Sequence, residues 1–419
     1  DASAYYSNAD NDDKNEWDNF QTNQNWEKLN NNPYKQLTDE TSTEDELQVK
    51  LDYTRPTNAG KLEMGYKGTY DLSDETYRLK IFQNSQWSQE ETSDIDYHRL
   101  TQALYATYSG KVIGVDYKLG LRGEYTDRQL KQITLGDDYT INRFDLFPSA
   151  HFSKQLNRGE QVFLSYSRRI RRPRSWYLDP FERYVNQYTV RAGNPSLEPE
   201  YTGSYELGYK KSFKKSFISV EGYFRNTTNQ IDRIQELGEN DNMYMSFENL
   251  DRETSAGIET MLNSSLFKWW NLNASGSLYR YTLEGDVAGQ EVDAKSNNWN
   301  IRLNNNFSLP TGTKLQLMAM YIGPSATAQG EREGFLMTSA AIKHSFLDNK
   351  LTLTLSGRDL LQTMNHEMTS SGPNFETYNY FERESPFVTF SVSYSFNNYK
   401  DRKRGPNGEG EDYQEMESF

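Results

Sequence analysis

The sequence predicts an all-β fold, specifically a transmembrane antiparallel β-barrel. Three observations carry that expectation. Apolar and polar residues alternate along one segment after another. Short turns and long polar loops alternate between those segments. The composition is polar overall yet rich in rings, with 35 % hydrophobic and 14 % aromatic residues, 30 of them tyrosine, in 419 residues. A barrel wall explains the combination, because only every second strand residue faces lipid while lumen and loops stay polar. No apolar run of about 18 residues reads as a transmembrane helix.

Composition also excludes other classes. The formal net charge of −14 argues against nucleic-acid affinity, since an acidic surface repels phosphate backbones. The absence of cysteine removes disulfide frameworks and thiolate metal sites. The opening D-A-S-A-Y-Y-S-N-A-D-N-D-D has neither a basic start nor an apolar core, so the chain is expected to begin after processing or inside a longer chain. A soluble propeller would show a repeat of about 40–50 residues, and none is visible.

Taken in order, residues 1–45 are rich in Asn, Asp and Glu and read as a polar loop or an incomplete N-terminal part. Residues 46–397 read as the barrel. Leu47, Val49, Leu51 and Tyr53 alternate, then Leu62, Met64 and Tyr66 after a T-N-A-G turn. An acidic loop is expected over about 72–96. The clearest strand sets Ile113, Val115, Tyr117, Leu119, Leu121 and Tyr125 on one face, and Asp116, Lys118, Arg122 and Glu124 on the other. Period two scatters both sets around a helix, so only a strand uses this pattern. Similar hairpins follow to a last strand of Val388, Phe390, Val392, Tyr394 and Phe396. The rhythm gives roughly fourteen strands of about ten residues, the length a tilted strand needs to cross a bilayer. Residues 398–419 read as a solvated C-terminal tail.

Nothing in the sequence points to catalysis. His98, His151, His344 and His366 are far apart and lack metal-ligand spacing. No nucleophile elbow or glycine-rich phosphate loop occurs. The expectation is a non-enzyme without a cofactor. Binding is a better fit. The loop around 172–200 offers Trp176, Tyr177, Tyr184, Asn186 and Arg191 as candidate ligand or loop contacts, because rings and amides stack on and hydrogen-bond to flat or sugar-like ligands. The same residue types also suit ordinary loop packing.

Several ordered motifs resemble a known family. They are G-L-R-G-E-Y-T (Gly120–Thr126), Y-S-R-R-I-R-R-P (Tyr166–Pro173), L-D-P-F (Leu178–Phe181), G-N-P-S-L-E-P-E-Y (Gly193–Tyr201) and the segment Lys343–Leu361. Together they resemble the C-terminal β-barrel portion of TonB-dependent outer-membrane receptors, in the Bacteroidetes-type "outer membrane protein β-barrel" branch. The resemblance implies a Gram-negative outer membrane and uptake of a scarce ligand, such as a metal chelate, glycan or peptide. It implies outer-membrane lipid and lipopolysaccharide, a plug domain, a TonB-type energy coupler and a surface lipoprotein as partners. Such barrels close at roughly 22 strands, so this chain is expected to lack the plug and the first strands. The alternatives are a non-energised structural or assembly component, or a complete smaller barrel acting as a pore.

One stretch stands out, S-R-R-I-R-R-P-R-S-W-Y, with arginines at 168, 169, 171, 172 and 174. Strand alternation splits it. Arg169 and Arg171 are expected in the lumen, with Arg122 and Glu124, as plug or lumen contacts. Arg168 and Arg172 are expected on the outer rim as lipopolysaccharide contacts. Pro173 ends the ladder because it has no N–H to donate.

Overall fold

A computed structural model describes residues 1–83, 86–238, 242–287 and 289–396. The first half holds β1 (Ala2–Asn19), β2 (Tyr34–Thr57), β3 (Gly60–Gln83), β4 (Gln86–Trp87), β5 (Glu91–Val112), β6 (Val115–Gln132), β7 (Asp137–Gln155) and β8 (Glu160–Arg171). A short crossing segment carries α1 (Ser175–Leu178), β9 (Arg183–Asn186) and β10 (Thr189–Arg191). Then come β11 (Glu200–Ser212), β12 (Ser216–Leu237), β13 (Met243–Phe267), β14 (Trp270–Val287), β15 (Gln290–Ser308), β16 (Lys314–Ile322), β17 (Ser325–Thr327) and β18 (Gly330–Arg332). The chain continues through β19 (Phe335–Phe346), β20 (Leu351–Arg358), β21 (Asn365–Gly372), β22 (Phe375–Glu382) and β23 (Phe387–Tyr394).

One sheet contains nineteen strands. With the short β4, β9 and β10 set aside, the rest form an antiparallel meander in which each strand pairs with the next long one. β8 pairs with β11, β16 with β19 and β20 with β23. Among the described residues β1 pairs only with β2 and β23 only with β20, so the wall is an open arc.

The two faces follow the alternation. Leu104, Leu121, Leu207, Leu278 and Phe390 lie outward and are exposed, as an apolar band against lipid requires. Rings gather at the band's edges. Phe267, Trp269, Trp270 and Phe307 stack at the short-turn end, with centroids 5.5–6.2 Å apart. Tyr166 and Tyr205 meet at 4.7 Å toward the other end. On the inner face Phe163 lies against Gly208, where an added Cβ would sit 2.1 Å from the ring.

Three expectations change. Residues 1–45 carry β1 and part of β2 rather than a loop, paired from Ala2↔Leu51 to Asn19↔Tyr34. Polar cross-strand partners replace apolar alternation there, including Tyr6 Oη to Asp45 at 2.6 Å and Lys14 to Asp39 at 3.4 Å. The acidic stretch around 72–96 is mostly ladder, with β3 and β5 paired up to Leu79↔Glu91. Strands of 18–25 residues are therefore common, because the ladder runs on past the band where water satisfies a polar face. Ile113 sits in the turn between β5 and β6 at φ 49, followed by Gly114 at φ 76. Two positive φ values are what a two-residue hairpin turn needs. The predicted tail at 398–419 lies outside the described residues, and so does the end of the barrel segment at residue 397.

Candidate binding site beneath a folded strap

Pro173 follows β8, and the chain turns inward there. Residues 172–199 do not hang as a loop; they fold as a strap against the inner face. Leu178 and Leu197, both at 0 % exposure, join Ile95 and Tyr97 of β5, Leu130 of β6, Ile231 of β12 and Phe247 of β13 in one apolar cluster. The strap thus ties β5 and β6 to β12 and β13. β10 adds a parallel rung to β13, Thr189↔Met243 to Arg191↔Met245.

The quoted motifs supply the anchors. In G-N-P-S-L-E-P-E, Asn194 Nδ2 donates to Phe247 O at 3.0 Å, and the Asn194 N–H donates to Tyr177 O at 2.6 Å. The Glu198 N–H donates to Asn249 Oδ1 at 2.8 Å. Buried Glu200 accepts from the Ile231 N–H at 2.8 Å and from Arg171 Nη1 at 3.1 Å. Gly193 must be glycine, since a Cβ there would lie 2.5 Å from Tyr177 O. In L-D-P-F, Asp179 accepts from Gln132 Nε2 at 3.1 Å and from the Phe181 N–H at 3.1 Å.

Arg183 closes the strap. Its guanidinium is buried and donates to Asp179 at 2.9 Å, Glu40 at 2.9 Å and Glu75. The Tyr77 ring covers it at 4.9 Å. Burial opposes the charge, but Glu75, Asp179 and Glu40 outweigh it and raise the Arg183 pKa. Burial, reinforced by Glu40, raises the Glu75 pKa despite Arg183, and burial pushes Tyr77 up to about 12.

The candidate residues divide. Tyr177 stacks on Phe247 at 4.1 Å and 14°, and Trp176 meets both rings edge-on. Arg191 lies over Trp176 at 5.1 Å. Tyr184 accepts from Gln36 Nε2 through its carbonyl at 2.7 Å. Asn186 is exposed and holds the Tyr188 N–H at 2.8 Å. The structure brings all five together on the strap, where Trp176, Tyr177 and Arg191 pack and Tyr184 and Asn186 edge outward.

The arginine run behaves differently from its expected split. Arg171 does pair inward, but with Glu200 of the wall itself. Arg169 is exposed opposite Thr202. Arg168 stays exposed, 4.8 Å above the Tyr201 ring. Arg172 is not on the outer rim. Its Nη2 donates to Glu124 at 2.6 Å and to Thr126 at 3.0 Å, and Arg122 holds the other oxygen of Glu124. The reason is that β8 ends at Arg171, so strand parity no longer governs the next side chain. Arg122 and Glu124 lie on the inner face beside Arg172.

Sequence reasoning missed Asp179 and Arg183 as a clamp. The i, i+4 spacing was available, but Glu75 and Glu40 lie 108 and 143 residues from Arg183. Away from the strap, β21 and β22 join β17 and β18 in a separate four-stranded sheet. Gln329 ties that sheet to the wall through a reciprocal pair with the Gln235 backbone, at 2.7 and 2.8 Å.

The outer membrane protein beta-barrel family matches residues 1–394. The chain belongs to that family. It is therefore an outer-membrane protein, and the motif resemblance seen in the sequence holds. Among solved structures, the siderophore receptor PiuA from Acinetobacter baumannii aligns with a TM-score of 0.66 at 13 % identity, over 94 % of this chain and 61 % of that one. The copper transporter OprC gives 0.64 at 15 %, over 94 % and 62 %. The ferric yersiniabactin uptake receptor FyuA from Yersinia pestis gives 0.57 at 11 %, over 86 % and 54 %. These likenesses show the fold, and the chain spans a little over half the length of such receptors. No curated protein matches the chain in sequence.

Proposed function

We propose that this chain forms the wall and the ligand-facing strap of an energised uptake receptor for a scarce ligand. The ligand class is a metal chelate, glycan or peptide. The observation that carries the reading is the strap. A plain pore has no use for a 28-residue segment clamped across its inner face by a buried arginine. A receptor does, because binding needs rings and polar groups held on a rigid frame. Tyr184, Asn186 and Tyr188 lie on the outer edge of the strap and are the contacts this reading selects. Named solved structures with this fold include a siderophore receptor and a copper transporter, which favours a metal-bearing cargo. Energy coupling would come from a plug and a TonB-type coupler outside the described residues, and a surface lipoprotein would present the ligand. Lipopolysaccharide would meet Arg168 at the rim.

The test is uptake by cells carrying the full-length protein. Excising codons 184–188 should leave the barrel in the outer membrane and abolish uptake of the ligand that supports growth, and a protonophore should do the same to the intact protein. Unchanged uptake after the excision would sink the reading. Loss of uptake that ignores the protonophore would favour the non-energised alternative.

A further inference from the structure

Directly on the band side of the strap's apolar cluster lies a layer of arginine. On β5, Arg99 is the next inward residue after Tyr97; on β6, Arg128 is the next after Leu130. The two are register partners, Arg99↔Arg128. Like charges placed directly opposite on neighbouring strands repel. Arg143 of β7 is diagonal to Arg128, whose own register partner is Ile141.

Two of the three are compensated. Arg99 holds Asp71 at 2.9 Å. Arg143 approaches Asp145 at 3.5 Å and Glu198 at 3.8 Å. Arg128 has no such partner. It is 5 % exposed, its Nε is sealed from solvent without an acceptor, and among the described residues no carboxylate or carbonyl accepts from it. Burial first pushes its pKa down; the Tyr97 hydroxyl opposes that, Arg99 and Arg143 add to the lowering, and no carboxylate contributes. A buried ion left alone is strongly destabilising as a rule. Arginine does not escape by losing its proton, because its ordinary pKa is above about 12. Glu124 lies farther toward the band, and Arg122 and Arg172 already hold its two oxygens, so it offers Arg128 nothing.

We infer that Arg128, flanked by Arg99 and Arg143, is the anchor for one carboxylate or phosphate group of a ligand held under the strap. The planar guanidinium meets either group with two parallel hydrogen bonds. That the anion is cargo rests on the uptake reading; that the site binds anions does not.

Calorimetric titration of the full-length protein in detergent, at constant ionic strength set with chloride, tests the site. Inorganic phosphate and citrate are the probes. At least one should bind saturably, and Arg128→Met should weaken it at least tenfold. Because the variant removes an uncompensated charge, its anion-free form should melt at the same temperature as wild type or higher. Arg128→Lys keeps the charge but loses the two-pronged geometry and should bind weakly. A response to phosphate alone assigns a phosphorylated ligand; a response to citrate alone assigns a polycarboxylate. Binding of neither, or equal binding by wild type and Arg128→Met, overturns the proposal. Saturable binding in cells that show no uptake would spare the site and count against the cargo reading.

Discussion

On β6, Leu119, Leu121 and Tyr125 are exposed along the outward face, while farther along the same strand Leu130 and Gln132 are sealed completely. One strand therefore serves two regions that cohere differently. In the band, apolar side chains look out to lipid and the backbone ladder supplies the internal order. At the mouth, apolar side chains look in, and the strap fills the space with a small core and a set of buried charges. Water outside the mouth and lipid outside the band reverse which face must be apolar. The seam between β7 and β8 marks the change. Their ladder stops at Ser149↔Ser167, and the next residue of β7 is Pro148, which offers no N–H. Above it, Arg143, Tyr201 and Arg168 fill the gap, with Tyr201 Oη donating to Asp145 at 2.7 Å.

The contrast can be broken at either end. The largest effect is expected from Arg183→Met, which leaves Asp179 and Glu75 buried without a cation. Removing one partner of a buried pair costs about 3–5 kcal/mol. The cost should fall on the strap alone, so chymotrypsin should nick 176–188 quickly while the heat-modifiable band of the folded barrel stays in place on a gel. Global loss of the barrel would show that the two regions are one cooperative unit.

Leu178→Ala should follow, at about 2–5 kcal/mol, with the same local signature in proteolysis. Its counterpart in the band is Leu121→Arg, at about 2–4 kcal/mol near the bilayer midplane. Here the barrel's unfolding in urea should shift, with the strap's protease resistance unchanged below that transition. If Leu178→Ala shifted the urea midpoint as much, the division would fail.

A smaller effect concerns pH. Burial raises the Glu75 pKa above its ordinary 4.5, so the folded strap binds that proton more tightly than the unfolded one does. Its contribution is full below pH 4.5 and is lost as pH rises through the raised value. Arg183 stays charged throughout, since its pKa is raised further above its ordinary value. Resistance to chymotrypsin should therefore fall as pH climbs from 4.5 toward neutral, and Glu75→Gln should flatten that slope. A slope of opposite sign would mean the Arg183 pair, rather than burial, governs Glu75. The smallest effect is expected from Lys14→Ala, because its pair with Asp39 is exposed and such pairs contribute less than about 1 kcal/mol.

How much was legible in the sequence follows the same division. The band was readable because lipid imposes period two on one face, as at Leu119 and Leu121. β1 was not, because Asn8, Asp10 and Lys14 pair with polar partners on β2 and leave no apolar rhythm. The strap's residues were picked out by type, as with Trp176 and Tyr184, but their packing was not, because Phe247, Glu75 and Glu40 come from distant strands. Arg172 was assigned to the wrong side because alternation was extended one residue past the end of β8. Arg128 gave no signal at all, since an unpaired charge is visible only once its neighbours are known.

Residues 172–199 form a folded strap latched through Arg183 rather than a mobile loop. Hydrogen exchange of the full-length protein in detergent tests it most directly. Amides of 177–197 should exchange as slowly as those of 104–125 in the intact protein. In Arg183→Met they should become fast while 104–125 stay slow. Fast exchange of 177–197 in the unmodified protein would contradict the account.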